Sequence, residues 1–93
     1  MTKILVIEDD VKILKLLTGD LELDGYMVTT AKDGIEGLER AMTQRPDLVI
    51  LDVMMPRMNG YDVCRALRKE RSDIPIIMLT AKGQDSEKAL GLS

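Results

Sequence analysis

The amino-acid sequence predicts an α/β domain in which strands of a parallel sheet alternate with amphipathic helices. Short, fully apolar runs of strand length recur along the chain, as is typical of strands buried on both faces. The segments between them place apolar residues at helical spacing. The chain has 93 residues, of which 45% are hydrophobic, so it is long enough for one domain with an aliphatic core.

The first half of the chain contains two predicted strands and two predicted helices. Strand one covers Lys3–Ile7, an apolar run that stops where acids begin, and strand two covers Met27–Ala31. The helices cover residues 11–24 and 34–43, the second with Asp33 as its N-cap. We expect their inward faces to consist of Ile13, Leu14, Leu17 and Leu21 in the first helix and Ile35, Leu38, Ala41 and Met42 in the second.

The second half repeats the same alternation. The apolar run Leu48–Leu51 predicts strand three and again ends on an acid, Asp52. A helix is predicted over residues 60–71, strand four over Ile76–Leu79, and a further helix start at Asp85. We expect the inward face of the helix over 60–71 to consist of Val63, Cys64 and Leu67.

Composition excludes several classes of protein. The sequence has no histidine and a single cysteine, Cys64, so a histidine-based metal site and an internal disulfide are both excluded. Residues 1–47 hold ten acids and six bases, which disfavours direct nucleic-acid binding by this chain. The apolar runs are too short to span a membrane and the start does not resemble a signal peptide, so we expect a cytoplasmic protein that does not bind membranes.

Polar side chains follow three of the predicted strands. Glu8 and Asp9 follow strand one, Asp52 follows strand three and Thr80 follows strand four. The carboxyl ends of parallel strands share one edge of the sheet, where ligands of open α/β sheets bind. Three carboxylates at one edge repel each other unless a cation neutralises them, and an all-oxygen set suits Mg²⁺. Because Mg²⁺ commonly shares its ligands with phosphate oxygens, the expected partner is a phosphoryl group.

Three segments carry a resemblance to a known family: Ile7-Glu8-Asp9-Asp10, Asp52-Val53-Met54-Met55-Pro56-Arg57-Met58-Asn59-Gly60 and Leu79-Thr80-Ala81-Lys82. Along all 93 residues, the chain resembles the receiver domain of two-component response regulators. The resemblance implies a flavodoxin-like, doubly wound parallel sheet. In this chain we expect about four strands in the order 2-1-3-4, with helices on both faces.

The resemblance also implies a role for each site residue. Asp52 is the expected phospho-acceptor, which receives its phosphoryl group from a sensor histidine kinase. Glu8 and Asp9 are the acidic pair, and Mg²⁺ is held by Asp9, Asp52 and the Met54 backbone carbonyl, with Glu8 acting through water. Thr80 is the switch hydroxyl. Phosphorylation by this chemistry adds charge and acceptor oxygens that such a hydroxyl can bind.

The family pattern continues with a fifth strand, which ends in a lysine, and a fifth helix. We therefore expect residues 1–93 to be a receiver domain that is incomplete at its carboxyl end. Residues 79–85 further resemble regulators whose receiver precedes a winged-helix DNA-binding domain, which makes transcription the expected output. An unprotected edge at strand four predicts a homodimer or a domain-swapped oligomer through residues 76–92.

Several alternatives stay open at this point. The chain is either a phospho-accepting module or a truncated binding and dimerisation fragment without phosphoryl chemistry. A Mg²⁺-dependent phosphohydrolase is disfavoured because residue 54 is Met and not an acid or base. A nucleotide-binding domain is disfavoured because no Gly-rich loop follows strand one. Asp10 is either an accessory residue of the acidic site or a helix cap.

Overall fold

The computed structural model describes residues 1–71 and 73–79, and it confirms the α/β prediction. Every predicted strand and helix within these residues is present, with ends that differ from the prediction by one residue at most. The helix predicted from Asp85 lies outside the described residues. The strands are β1 Lys3–Ile7, β2 Met27–Ala31, β3 Leu48–Asp52 and β4 Ile76–Leu79, and the helices are α1 Val11–Leu23, α2 Gly34–Gln44 and α3 Gly60–Glu70.

The four strands form one parallel sheet in the order β2-β1-β3-β4, which confirms the predicted order. Ile7, at the end of β1, is in register with Ala31 of β2 and Leu51 of β3. Asp52 is in register with Leu79 of β4. The carboxyl ends of all four strands therefore meet at one edge of the sheet, and the acids that follow β1 and β3 are neighbours.

Strand β1 lies in the interior of the sheet and divides the core between its two faces. Leu5 and Ile7 are fully buried in a cluster with residues of α2 and α3, while Ile4 and Val6 pack on the opposite side with Leu14 of α1. The predicted helices on both faces are thus confirmed. Since each face of β1 is covered, its apolar run needs no alternation with polar residues.

All three described helices begin just beyond the carboxyl edge of the sheet, and each has a side-chain N-cap. Asp10 accepts a hydrogen bond from the Lys12 amide at 2.9 Å, and Asp33 accepts one from the Glu36 amide at 2.8 Å, as predicted. The third cap is Asn59, at the start of α3. These caps satisfy amides that have no partner inside a helix, and they fix the helix starts beside the acids.

The predicted inward face of α2 was wrong at Ile35 and Met42, which are 61% and 36% exposed. The residues of α2 that are buried are Gly34, Gly37 and Ala41, which share one side of the helix. A Cβ atom on Gly37 would lie 2.4 Å from Cδ1 of Ile7, so the helix approaches the sheet more closely than a side chain would allow. The small residues, and not the largest apolar ones, therefore decide which side of α2 faces the sheet.

None of α1, α2 and α3, the helices in the described part of the chain, has the length and apolar character that crossing a membrane requires.

The close contact at Gly37 leads to a stability prediction. We expect Gly37→Ala to lower the free energy of unfolding by about 1–3 kcal/mol, because the fully buried Ile7 side chain has no room to move away. Gly19→Ala in α1 is the matched control, since nothing lies within 4 Å of the added methyl group, and it should raise stability by about 0.5–1 kcal/mol. Urea denaturation of both variants measures the difference, and a stabilised Gly37→Ala protein would contradict the packing described here.

Candidate functional site

Three carboxylates converge at the carboxyl edge of the sheet. Glu8 and Asp9 directly follow β1, and Asp52 is the last residue of β3. Each offers a carboxylate oxygen, and these atoms all lie within 4.8 Å of one another. The parallel register places the ends of β1 and β3 side by side, so backbone geometry brings the three acids together as the sequence predicted.

Two of these acids are buried to an unusual degree. Glu8 and Asp52 are each 2% exposed, whereas Asp9 is only partly buried. Burying an ionised carboxylate is costly unless hydrogen bonds or a counter-charge offset the loss of water. A set of oxygen ligands with three negative charges matches the coordination preference of a hard divalent cation. The chemistry of the cluster therefore fits a metal site.

The backbone that follows each strand bends back to hydrogen-bond these acids. The Met54 amide donates to Oδ1 of Asp52 at 3.3 Å, and the Asp10 amide donates to Oε2 of Glu8 at 2.9 Å. The Glu8 amide itself donates to the carbonyl of Ala31, which fastens the start of the acidic segment to β2. The carboxylate of Asp10 caps α1 and accepts hydrogen bonds from the Lys12 and Ile13 amides.

The loop between β3 and α3 closes tightly on itself beside the cluster. The Val53 carbonyl accepts hydrogen bonds from the amides of Met55 and Gly60, at 3.1 and 2.9 Å. A Cβ atom on Gly60 would lie 2.6 Å from the Asp52 carbonyl oxygen, so only glycine fits where the loop returns to the strand. Met55 is buried under the loop, whereas Met54 is exposed on its outer side.

The β2–α2 turn and the first turn of α2 follow the strand next to β1 and carry two further acids. The Lys32 amide donates to Oε1 of Glu36 at 2.9 Å, while Asp33 caps the same helix. This amide holds the pKa of Glu36 below its usual value, burial acts in the opposite direction, and the Arg40 guanidinium lowers the pKa further. The ionised form of Glu36 is therefore favoured at the start of α2.

The sequence model of the response regulator receiver domain matches residues 4–93. This chain belongs to the response regulator receiver domain family. Two of the segments that carry the family resemblance, residues 7–10 and 52–60, contain the acids that converge at the ends of β1 and β3.

Two curated relatives illustrate the similarity of this receiver domain to bacterial regulators. It is 50% identical over 90 residues to the alkaline phosphatase synthesis transcriptional regulatory protein PhoP of Bacillus subtilis (strain 168). It is 47% identical over 90 residues to the response regulator MprA of Mycobacterium ulcerans (strain Agy99). Each alignment covers 97% of this chain but only 38% and 39% of the relative. The chain therefore spans about two fifths of the length of these relatives.

Solved structures of receiver proteins share the fold of this chain. The chemotaxis protein CheY4 of Vibrio cholerae aligns with a TM-score of 0.85 and 37% identity, over 95% of this chain and 75% of that one. The response regulator protein TrrA of Thermotoga maritima, solved in complex with Mg²⁺-BeF, aligns with a TM-score of 0.85 and 41% identity. That second alignment covers 89% of this chain and 72% of that chain.

The structure thus brings Glu8, Asp9 and Asp52 together and places Met54 next to Asp52. Thr80, the predicted switch hydroxyl, lies outside the described residues. The individual roles assigned to these residues, and the extent of the domain over 1–93, stay predictions. Sequence reasoning missed one feature of the receiver domain, an ion pair between Arg57 and Asp33, whose residues are separated by 24 positions and give no local pattern.

Proposed function

We propose that this receiver domain accepts a phosphoryl group on Asp52 in two-component signalling. The observation that supports the proposal is the convergence of a buried Asp52 with Glu8 and Asp9 at the carboxyl edge of the sheet. A phospho-accepting module needs a fixed carboxylate nucleophile and a means of offsetting the charge of an incoming phosphoryl group. Family membership makes this the leading function for such a cluster.

The proposed donor is a phosphohistidine on a sensor histidine kinase. A carboxylate oxygen of Asp52 attacks the phosphorus atom, the phosphorus–nitrogen bond breaks, and the imidazole leaves and takes up a proton. The product is an acyl phosphate on Asp52, which water later hydrolyses to the Asp52 carboxylate and inorganic phosphate. Since the acceptor belongs to the protein itself, we infer self-catalysed phosphotransfer and autodephosphorylation and not turnover of a separate substrate.

We propose Mg²⁺ as the cofactor, held by Asp9, Asp52 and the Met54 carbonyl, with Glu8 acting through water. The all-oxygen donor set and its three negative charges support this choice. When bound, Mg²⁺ would reduce repulsion between Asp52 and the phosphoryl group and stabilise charge on the phosphoryl oxygens. The Met54 amide, at 3.3 Å from Oδ1, fixes the orientation of the Asp52 carboxylate in the protein itself.

We propose transcriptional regulation as the output, carried by a DNA-binding domain outside this chain. The relatives named as transcriptional or response regulators support this assignment. Thr80 is the proposed switch hydroxyl that responds to phosphorylation. Direct binding of nucleic acid by this chain is not part of the proposal, and a cytoplasmic location stays a prediction from the sequence.

The alternative function is a binding or dimerisation fragment without phosphoryl chemistry. Strand β4 favours self-association because it is the last strand of the sheet within residues 1–71 and 73–79, and its four residues are each only partly buried. Exposed sheet edges offer backbone hydrogen-bonding groups to a second chain. Self-association through β4 is compatible with phosphorylation of Asp52, so the two functions are tested separately.

The first prediction of the proposed function concerns the metal site. Asp9→Asn and Asp52→Asn should each weaken Mg²⁺ binding by more than about tenfold, because each removes a charged ligand. Isothermal titration calorimetry measures the dissociation constants, with Asp20→Asn on the exposed side of α1 as the control that should bind like the unmodified chain. Unchanged titrations in both site variants would rule out this site.

The second prediction of the proposed function concerns the phospho-acceptor. A small acyl phosphate should add one phosphoryl group to the chain in the presence of Mg²⁺, and the addition should be lost in Asp52→Ala or in the presence of a chelator. Intact-mass spectrometry detects the product, and Asp20→Asn again serves as the control. A mass gain that persists in Asp52→Ala would show a different acceptor, whereas no gain in the unmodified chain would favour the binding-fragment alternative.

The third prediction concerns self-association, on which the alternative function depends. We expect a concentration-dependent dimer or higher oligomer through residues 76–92, measured by sedimentation. Of these residues the structure describes β4, and residues 80–92 lie outside the described part of the chain. Ile35→Glu is the control, because Ile35 is exposed on α2 and away from the last strand. That variant should associate like the unmodified chain. Sedimentation at the monomer mass across micromolar concentrations, or loss of association in Ile35→Glu, would contradict an interface at β4.

A further inference from the structure

The loop after β3 contains a strained three-residue turn. The Met58 amide donates to the Pro56 carbonyl at 2.6 Å, and the residue between them, Arg57, has a φ of 67°. A turn closed over three residues with positive φ at its centre is the less favourable form of γ-turn. Only a few per cent of non-glycine residues adopt positive φ, and glycine or asparagine is the usual choice there. An arginine at this position therefore indicates that its side chain makes a contact that stabilises the turn.

The Arg57 side chain reaches across the edge of the sheet to Asp33. Its guanidinium Nη2 lies 3.1 Å from Oδ2 of Asp33, at the start of α2. The Asp33 side chain is 23% exposed, and its other oxygen, Oδ1, accepts the Glu36 amide as the N-cap. The Asp33 carboxylate is therefore held in place, because moving it would also remove the N-cap of α2.

The ion pair joins two loops that have no sequence proximity. One is the β2–α2 turn, which follows Ala31, and Ala31 accepts a hydrogen bond from the Glu8 amide. The other is the loop from Val53 to Asn59, which closes where the Gly60 amide meets the Val53 carbonyl. Within this closed loop, Pro56 has a fixed φ, and Arg57 is the residue at the centre of the three-residue turn.

We propose that Arg57 is a positioning residue whose ion pair with Asp33 holds the β3–α3 loop in its strained turn and so fixes the backbone of Met54 beside Asp52. The inference rests on the proposed function for its effect on metal binding and phosphorylation, but not for its effect on the loop. Loss of the pair releases the turn. The loop then samples conformations in which the Met54 amide no longer donates to Oδ1 of Asp52.

The test uses four variants and one control. Arg57→Gln removes the charge and keeps most of the side-chain length. Asp33→Asn removes the partner charge and keeps a side-chain oxygen for capping. The double variant tests coupling, and Arg57→Lys tests rescue by a second cation. Arg40→Gln is the control, because it removes a 3.1 Å ion pair with Glu36 on α2 without touching the loop.

The first measurement is amide hydrogen exchange of Met58 and Gly60 in the metal-free chain. Exchange of both amides should rise about twofold to fivefold in Arg57→Gln and in Asp33→Asn, the range expected for loss of an ion pair whose Arg57 side chain is 68% exposed. The double variant should match the single variants because the two changes break the same contact. Arg57→Lys should recover part of the protection, and Arg40→Gln should leave both amides unchanged.

The second measurement is Mg²⁺ affinity together with the rate of Asp52 phosphorylation by a small acyl phosphate. Both should fall about twofold to fivefold in Arg57→Gln and in Asp33→Asn. If the unmodified chain neither binds Mg²⁺ nor takes up a phosphoryl group, the proposed function fails, and hydrogen exchange still decides the role of Arg57. Unchanged exchange of Met58 and Gly60 in Arg57→Gln, or fully additive effects in the double variant, would overturn the inference.

Discussion

The burial of two carboxylates at the ends of neighbouring strands is the constraint on which the rest of this structure depends. Glu8 and Asp52 are almost completely withdrawn from water, and Asp9 lies beside them. Such groups stay ionised only where hydrogen bonds and nearby positive charge offset the lost hydration. The amides that follow each strand provide part of that compensation at Glu8 and Asp52, which ties the path of both loops to the acids.

Helix starts provide a second favourable electrostatic contribution. The capped N-termini of α1, α2 and α3 all lie beyond the same edge of the sheet. The helix dipole carries partial positive charge at this end, and it favours anions there. The edge that concentrates the carboxylates is therefore also the edge at which the backbone best tolerates negative charge, which lowers the cost of keeping three acids together.

Much of this arrangement could be predicted from the sequence, for identifiable reasons. The apolar run Lys3–Ile7 predicted strand β1. The acids that directly follow it predicted the site, because the carboxyl ends of parallel strands meet at one edge of the sheet. The inward face of α2 was harder to predict. Helical spacing marks Ile35 as apolar, but Gly37 carries no hydrophobic signal, although its missing side chain is what lets the helix approach Ile7.

The ion pair between Arg57 and Asp33 could not be predicted from local sequence patterns. Neither Arg57 nor Asp33 has a sequence neighbour that indicates the other, and the positive φ of Arg57 depends on the closed loop around it. A surface ion pair usually contributes at most about 1 kcal/mol, so this one cannot account for the stability of the domain. Its proposed importance comes from its position, because it joins the strained turn of the β3–α3 loop to the capped start of α2. A modest contact can therefore set the geometry of a buried acidic site without being one of its ligands.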